Sequence, residues 1–186
     1  MIGFKIILKS KLNKGDTKTV RIYYQTSQIK TSLGLQWLTP AMTFGKKLPF
    51  VYTHAEAIHA RSFYPCMDTP YVKFTVNASL TVNKDFVALF GGISLGDPII
   101  KGDLKTYKYE QTVPIPSYLV AIAAGDLAYR SLGTRTGVWA EPSIVEAAKN
   151  EFDGTETFIA TVSSIYLKFI NNLGWTIFNS IWMEGV

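Results

Sequence analysis

Between Tyr52 and Pro70 the chain gathers both of its histidines, its only cysteine, two carboxylates and an arginine. Imidazole, thiol and carboxylate together are the ligand set of zinc and the working groups of several hydrolases. Spacing decides among these chemistries. A zinc-protease helix needs His-Glu-x-x-His, whose histidines share one face. Here His54-Ala-Glu56-Ala-Ile-His59 sets them five apart, which on a helix turns the rings roughly 140° away from each other. A zinc deaminase pairs His-x-Glu with Pro-Cys-x-x-Cys; Pro65-Cys66 is present, but Asp68-Thr69 stand where the second cysteine belongs. Cys66, beside a proline, reads as a small apolar residue rather than a nucleophile. Glu56 stays open between two roles. It is either a solvated loop carboxylate or an anchor for an ammonium group, a contact that strengthens where water is thin. Arg61 and Asp68 have the chemistry to brace the loop as an ion pair.

The elements on either side must position this stretch. Residues 4–12 and 17–26 alternate apolar and polar and predict two strands around the turn residues Asn13-Lys-Gly-Asp16. Such a beginning leads us to expect a further partner strand upstream. Leu35-Gln-Trp-Leu38 and Phe50–Thr53 are short apolar runs leading into the loop, and Pro65 and Pro70 hold 54–70 away from helix. Val72, Phe74, Val76, Ala78, Leu80 and Val82 give the cleanest period of two, followed by a turn at Asn83-Lys-Asp85 and a return strand to Phe90. Residues 91–103, rich in glycine, read as a loose connection. Tyr107, Tyr109, Gln111 and Val113 mark one face of another strand, ended by Pro114 and Pro116. Tyr118–Ala124 is continuously apolar and predicts a central strand buried on both faces, and Thr136–Trp139 predicts one more. About eight short strands with turn chemistry between them fit an antiparallel sandwich or barrel.

After Ala140 the period changes. Pro142 with Ser143-x-x-Glu146, and then Asp153-x-x-Glu156, offer two helix starts with capping boxes. Phe158, Val162, Ile165, Phe169 and Leu173 share one face of a helix ending at Gly174, and an aromatic tail follows over 175–186. Such a tail predicts packing against a partner. The expected organisation is a β-unit over 1–140 and a helical segment with its tail over 141–186.

With 47% apolar and 18% charged residues in a chain of 186, disorder is excluded and a real core is possible. The formal net charge of +5 reads as scattered lysines and arginines rather than a nucleic-acid patch. No run reaches the roughly 20 apolar residues of a membrane span. One cysteine fits a reducing, cytoplasmic compartment.

Several stretches resemble the M1 family of zinc aminopeptidases, in particular its leukotriene A4 hydrolase and aminopeptidase B branch. They are Leu35-Gln-Trp-Leu-Thr-Pro40, Glu56-Ala-Ile-His-Ala-Arg61, Pro65-Cys-Met-Asp-Thr-Pro70, Tyr107-Lys-Tyr-Glu-Gln-Thr-Val-Pro-Ile-Pro-Ser-Tyr-Leu119 and Val138-Trp-Ala-Glu141. The resemblance implies a mainly β, saddle-like antiparallel sandwich, incomplete at its N-terminal side and followed by C-terminal helices. It also implies that the loop carrying Glu56 reaches toward the active site of a following domain, where Glu56 contacts the free amine of a peptide substrate. His54 stands where the family pattern has glutamine, and the Glu56–Ala57 peptide bond is expected to be cis. The substrate-binding residues so implied are Glu56, Ala57 and His54. No cofactor is expected in this chain. The resemblance implies zinc in the full-length enzyme, held by a His-Glu-x-x-His motif that these residues lack. The chain is therefore expected to be inactive alone. The rival expectation is a non-catalytic binding or assembly module, or a truncated paralogue.

Overall fold

A computed structural model describes residues 5–26 and 32–165. Its strands are β1 (Leu35–Leu38), β2 (Phe50–Thr53), β3 (Lys73–Asn83), β4 (Val87–Phe90), β5 (Ile93–Ser94), β6 (Ile99–Lys101), β7 (Leu104–Pro116), β8 (Ile122–Gly125), β9 (Ala128–Ser131) and β10 (Gly137–Ala140). Two helices follow, α1 (Val145–Glu151) and α2 (Thr155–Ile165). The fold is mainly β, and every strand pair is antiparallel. One sheet has the order β1-β2-β8-β4; a second runs β3-β7-β5 with β6 also on β7; β9 and β10 form a hairpin.

The alternation of 72–82 becomes β3, whose Phe74, Val76, Ala78, Leu80 and Val82 turn inward while Lys73, Thr75 and Asn77 face water. The strand after the 83–85 turn does not return beside it. β4 is apolar on both faces, with Ala88, Leu89 and Phe90 buried, so it leaves the half-wet sheet and pairs with β8 in the other one. β3 takes β7 as its partner instead, from Asn83↔Leu104 to Lys73↔Pro116. The core fills the space between the sheets. Val51, Ala88 and Ala124 face Leu80, Val82 and Tyr107, and Phe90 and Tyr109 continue it toward Ala55, Ala60 and Phe63. Phe90 is 2% exposed, a burial worth about 1.5–3 kcal/mol relative to solvent.

The row of side chains on β7 does more than fill space. Tyr107 Oη donates to Phe86 O (3.2 Å), Tyr109 Oη to Ala88 O (2.7 Å) and Gln111 Nε2 to Gly91 O (3.1 Å). Three polar tips at period two thus join one sheet to backbone carbonyls of the other. Burial pushes the Tyr109 hydroxyl up to about 12, so it stays a donor at any ordinary pH.

Several expectations need correction. Residues 5–26 form no strand: the turn closes through Asp16 N–H to Asn13 O (3.1 Å), but neither flank joins a ladder. Alternation codes a strand only where a neighbour supplies the other half of the hydrogen bonds. β7 runs through Pro114 to Pro116, because β5 and β6 cover its far side only at Tyr109–Glu110 and Leu104–Thr106 and leave residues 111–116 there as an edge, where proline is tolerated. The loose 91–103 connection contains β5 and β6, two short strands laid along β7. The central strand is shorter than its apolar run. Ser117–Leu119 is a 3-10 turn and β8 keeps four residues, still with Ala123 and Ala124 buried between β2 and β4.

Neither capping box forms. The helix α1 starts at Val145 after Ile144, with no side-chain cap, because Glu146 is drawn to Arg130 and Glu141 is turned toward the 44–45 backbone. Glu156 likewise accepts from Thr134, Arg135 and Thr136 instead of capping α2. The apolar face of α2 shows Phe158 and Val162 to solvent at 72% and 43%. Its continuation through Phe169 and Leu173, and the 175–186 tail with the packing expected on it, lie outside the described residues.

Candidate functional site

The loop after β2 is pinned where it leaves the sheet and again where it re-enters the fold. His54 N–H donates to Gly34 O (3.0 Å), and Gly34 N–H donates to Ser62 Oγ (2.8 Å). Ser62 Oγ donates in turn to His59 O (2.6 Å). The approach is close enough to require glycine: a Cβ on Gly34 would run into the His59 carbonyl and lie 2.9 Å from Ser62 Oγ. Inside the loop, His59 N–H closes a turn onto Ala55 O (3.0 Å), and Ala60–Ser62 is a 3-10 turn. Ala55, Ala60 and Phe63 are buried and hold it to the core.

Between these anchors the chain turns outward. His54, Glu56, Ala57 and Ile58 are exposed, and the Glu56–Ala57 bond is cis. Among the described residues the Glu56 carboxylate has no hydrogen bond or ion pair. The three residues expected to meet a substrate therefore lie on one exposed tip.

Arg61 and Asp68 do form the expected brace, and it is more extensive than an ion pair. Asp68 Oδ2 accepts from Arg61 Nε (2.7 Å) and Arg61 N–H (3.0 Å), while Asp68 O accepts from Arg61 Nη2 (2.7 Å). Its other oxygen, Oδ1, accepts from Ser117 Oγ (2.7 Å), which ties the loop to the end of β7. The Asp68 side chain is 3% exposed. Burial alone would raise its pKa, but the hydrogen bonds from Arg61 and Ser117 outweigh it and hold the carboxyl below the ordinary carboxylate range.

Cys66 has none of the character of a nucleophile. Burial and the Asp68 charge push its thiol up, against weaker opposing help from Tyr64, Arg61 and Ser117; an activated cysteine is shifted down. No three His, Cys, Asp or Glu side chains come together as a metal set among the described residues. Among the described residues, the side chains gathered at the loop do not form a zinc ligand set. Sequence reasoning missed the residues that position the loop. Ser62 and Ser117 carry no local signal, and Gly34 becomes informative only once the His59 backbone is placed against it. Glu141 is a further one: its carboxylate accepts from Phe44 N–H (3.1 Å) and Gly45 N–H (2.7 Å), fastening the 41–49 loop to the end of β10.

An antiparallel β-domain that extends a pinned, carboxylate-tipped loop matches a described family. The family model of the peptidase M1 N-terminal domain matches residues 3–119, and the chain belongs to that family. Among curated relatives, it is 41% identical over 146 residues to aminopeptidase B of Mus musculus, covering 78% of this chain and 22% of that protein. It is 38% identical over 157 residues to leukotriene A-4 hydrolase of Xenopus laevis, covering 83% of this chain and 26% of that protein. The solved structure of native yeast LTA4 hydrolase superposes with a TM-score of 0.65 at 40% identity, covering 75% of this chain and 21% of the other. The chain thus spans about a fifth to a quarter of the length of these relatives. Among the described residues no helix is long and apolar enough to cross a membrane.

Proposed function

We propose that this chain supplies the amine-recognition part of an M1 metallo-aminopeptidase. In this reading Glu56 receives the N-terminal ammonium group of a peptide, with His54 and the Ala57 backbone beside it. The observation that carries the reading is the Glu56 carboxylate itself, exposed and without an intramolecular partner among the described residues, on a loop pinned at both ends. A carboxylate meeting an ammonium makes a charge-assisted hydrogen bond, and it gains strength where a facing surface excludes water. A pinned loop leaves less freedom to be lost on binding.

Hydrolysis belongs, in this proposal, to a catalytic domain outside these residues, and zinc would be held there. Residues 1–186 with zinc added are expected to leave aminoacyl anilides intact. The division into a β-unit over 1–140 and a segment over 141–186 leading toward that domain is part of the same reading, as is a cytoplasmic location.

The test is a graft. Residues 32–119 replace the matching stretch of yeast LTA4 hydrolase, and aminoacyl-anilide cleavage is measured with Glu56 and with Glu56→Gln. Loss of one charge-assisted contact, about 1.5–3 kcal/mol, should raise KM at least about tenfold. An unchanged kcat/KM in an active graft would sink the assignment.

A further inference from the structure

Ala55 is 4% exposed and belongs to the core cluster of Phe63, Phe90 and Val120, while His54 and Glu56 on either side of it lie open to solvent. Where a chain continues a strand, residues two apart stand on one face, roughly 7 Å from each other. The two side chains thus share the outer face of the loop as it leaves β2. Neither is engaged. Among the described residues, no hydrogen bond or ion pair holds the imidazole or the carboxylate, and the two do not pair with each other. The neighbouring segments add no charge of their own. Residues 32–38, which include the Gly34 carbonyl that takes the His54 N–H, carry none, and neither do residues 119–125 on the other side of β2. On the loop itself Arg61 is held by Asp68 (2.7 Å), and the half-buried His59 follows across the turn onto Ala55 O.

A primary ammonium group has three N–H donors, and one carboxylate leaves at least one of them unmet. A neutral imidazole offers one ring nitrogen as an acceptor; a protonated one offers none and adds a positive charge. Imidazole is the side chain that makes this exchange between about pH 5 and 8. Resting on the amine reading of Glu56, we propose that His54 is a second ammonium ligand and a proton-controlled gate on that site. In its neutral form it accepts from the ammonium that Glu56 holds. Once it takes a proton from solvent, it is a cation on the same face as the carboxylate and competes with the ammonium. The occupant is then an ammonium with at least two N–H donors, and its capture weakens as pH falls.

The full chain is titrated with propylammonium chloride at constant ionic strength, and the backbone amides of residues 54–58 are followed by NMR. An alkylammonium keeps its charge throughout the range used, so the ligand itself does not titrate. A unit charge roughly 7 Å away changes binding about threefold even in bulk water. Apparent affinity should therefore fall at least about threefold between about pH 7.5 and about pH 5.5 in the wild type and in His59→Gln, and stay level in His54→Gln. Tetramethylammonium has the same charge and no N–H, and should bind at least about threefold more weakly at the higher pH. The gate is overturned if His54→Gln shows the same fall as the wild type, if the wild type shows none, or if tetramethylammonium binds as well as propylammonium. The amine reading itself fails, and the gate with it, if the wild type gives no response or if Glu56→Gln binds propylammonium as tightly. A loss in Glu56→Gln beside a wild type indifferent to pH removes the gate alone.

Discussion

Replacing Asp68 by alanine removes one of the two hydrogen bonds that hold the loop to the end of β7, the other being Tyr64 Oη to Ser117 O (3.0 Å). The Ser117 hydroxyl, on a residue 0% exposed, then keeps only the weaker Cys66 sulfur as an acceptor, at about 1–3 kcal/mol. The Arg61 N–H loses a 3.0 Å bond in a more open position, about 1 kcal/mol. The guanidinium, on a side chain 39% exposed, returns to water and adds little. The sum is about 3 kcal/mol, or a fall in melting temperature of about 10 °C for a domain of this size. Asp68→Asn keeps one acceptor and should lose about half as much. The assay is thermal and urea unfolding followed by near-ultraviolet circular dichroism, repeated from neutral to acid pH. Because the folded carboxyl sits below its unfolded value, its contribution is present above the ordinary carboxylate range and lost as pH falls through it and beyond. The gap between wild type and Asp68→Asn should therefore narrow on acidification. A loss under about 1 kcal/mol for the alanine variant at neutral pH, or a gap that does not narrow, refutes the accounting.

Other perturbations reach different parts of the fold. Gly34→Ala drives a methyl into the His59 carbonyl and should cost about 2–4 kcal/mol in urea unfolding, since backbone on both sides must shift. Tyr109→Phe strips the donor from a buried 2.7 Å bond to Ala88 O; a loss of about 1–2 kcal/mol with an unchanged denaturant slope is expected. The Glu156 carboxyl is held down at about 2, first by the Thr136 hydroxyl and then by Arg135. Its hold on the 134–136 loop is complete above the unfolded carboxylate range and is lost as pH approaches 2. Hydrogen-exchange protection of the Arg135 amide, whose N–H lies 3.3 Å from Glu156 Oε2, should fall over that window and be absent throughout in Glu156→Ala, which has no acceptor there.

The period-two alternation of 72–82 marked β3 correctly because both of its faces have a fixed environment, one core and one solvent. The same pattern in 5–26 misled, since alternation names the faces of a strand and not its neighbour. β4 changed sheets for a reason the pattern did carry: a run apolar on both faces does not belong beside a half-wet strand. The capping boxes failed where carboxylates found stronger partners far away in sequence, Arg130 for Glu146 and the 134–136 loop for Glu156. At the loop, His54, Glu56, Ala57, Arg61 and Asp68 were legible from residue type and family resemblance. Ser62, Ser117 and Gly34 were not, because a serine that accepts one amide and a glycine that admits one carbonyl look like any other until the two segments meet.

The double attachment at Gly34 has a mechanical meaning. A single residue offers its carbonyl to the start of the loop and its amide to the end, so the segment between them behaves as a closed ring mounted on β1 rather than as a strap. Its tip can rock with that strand but has little room to sweep sideways. The chain gives up that lateral freedom when it folds, and a ligand arriving later has little of it left to remove.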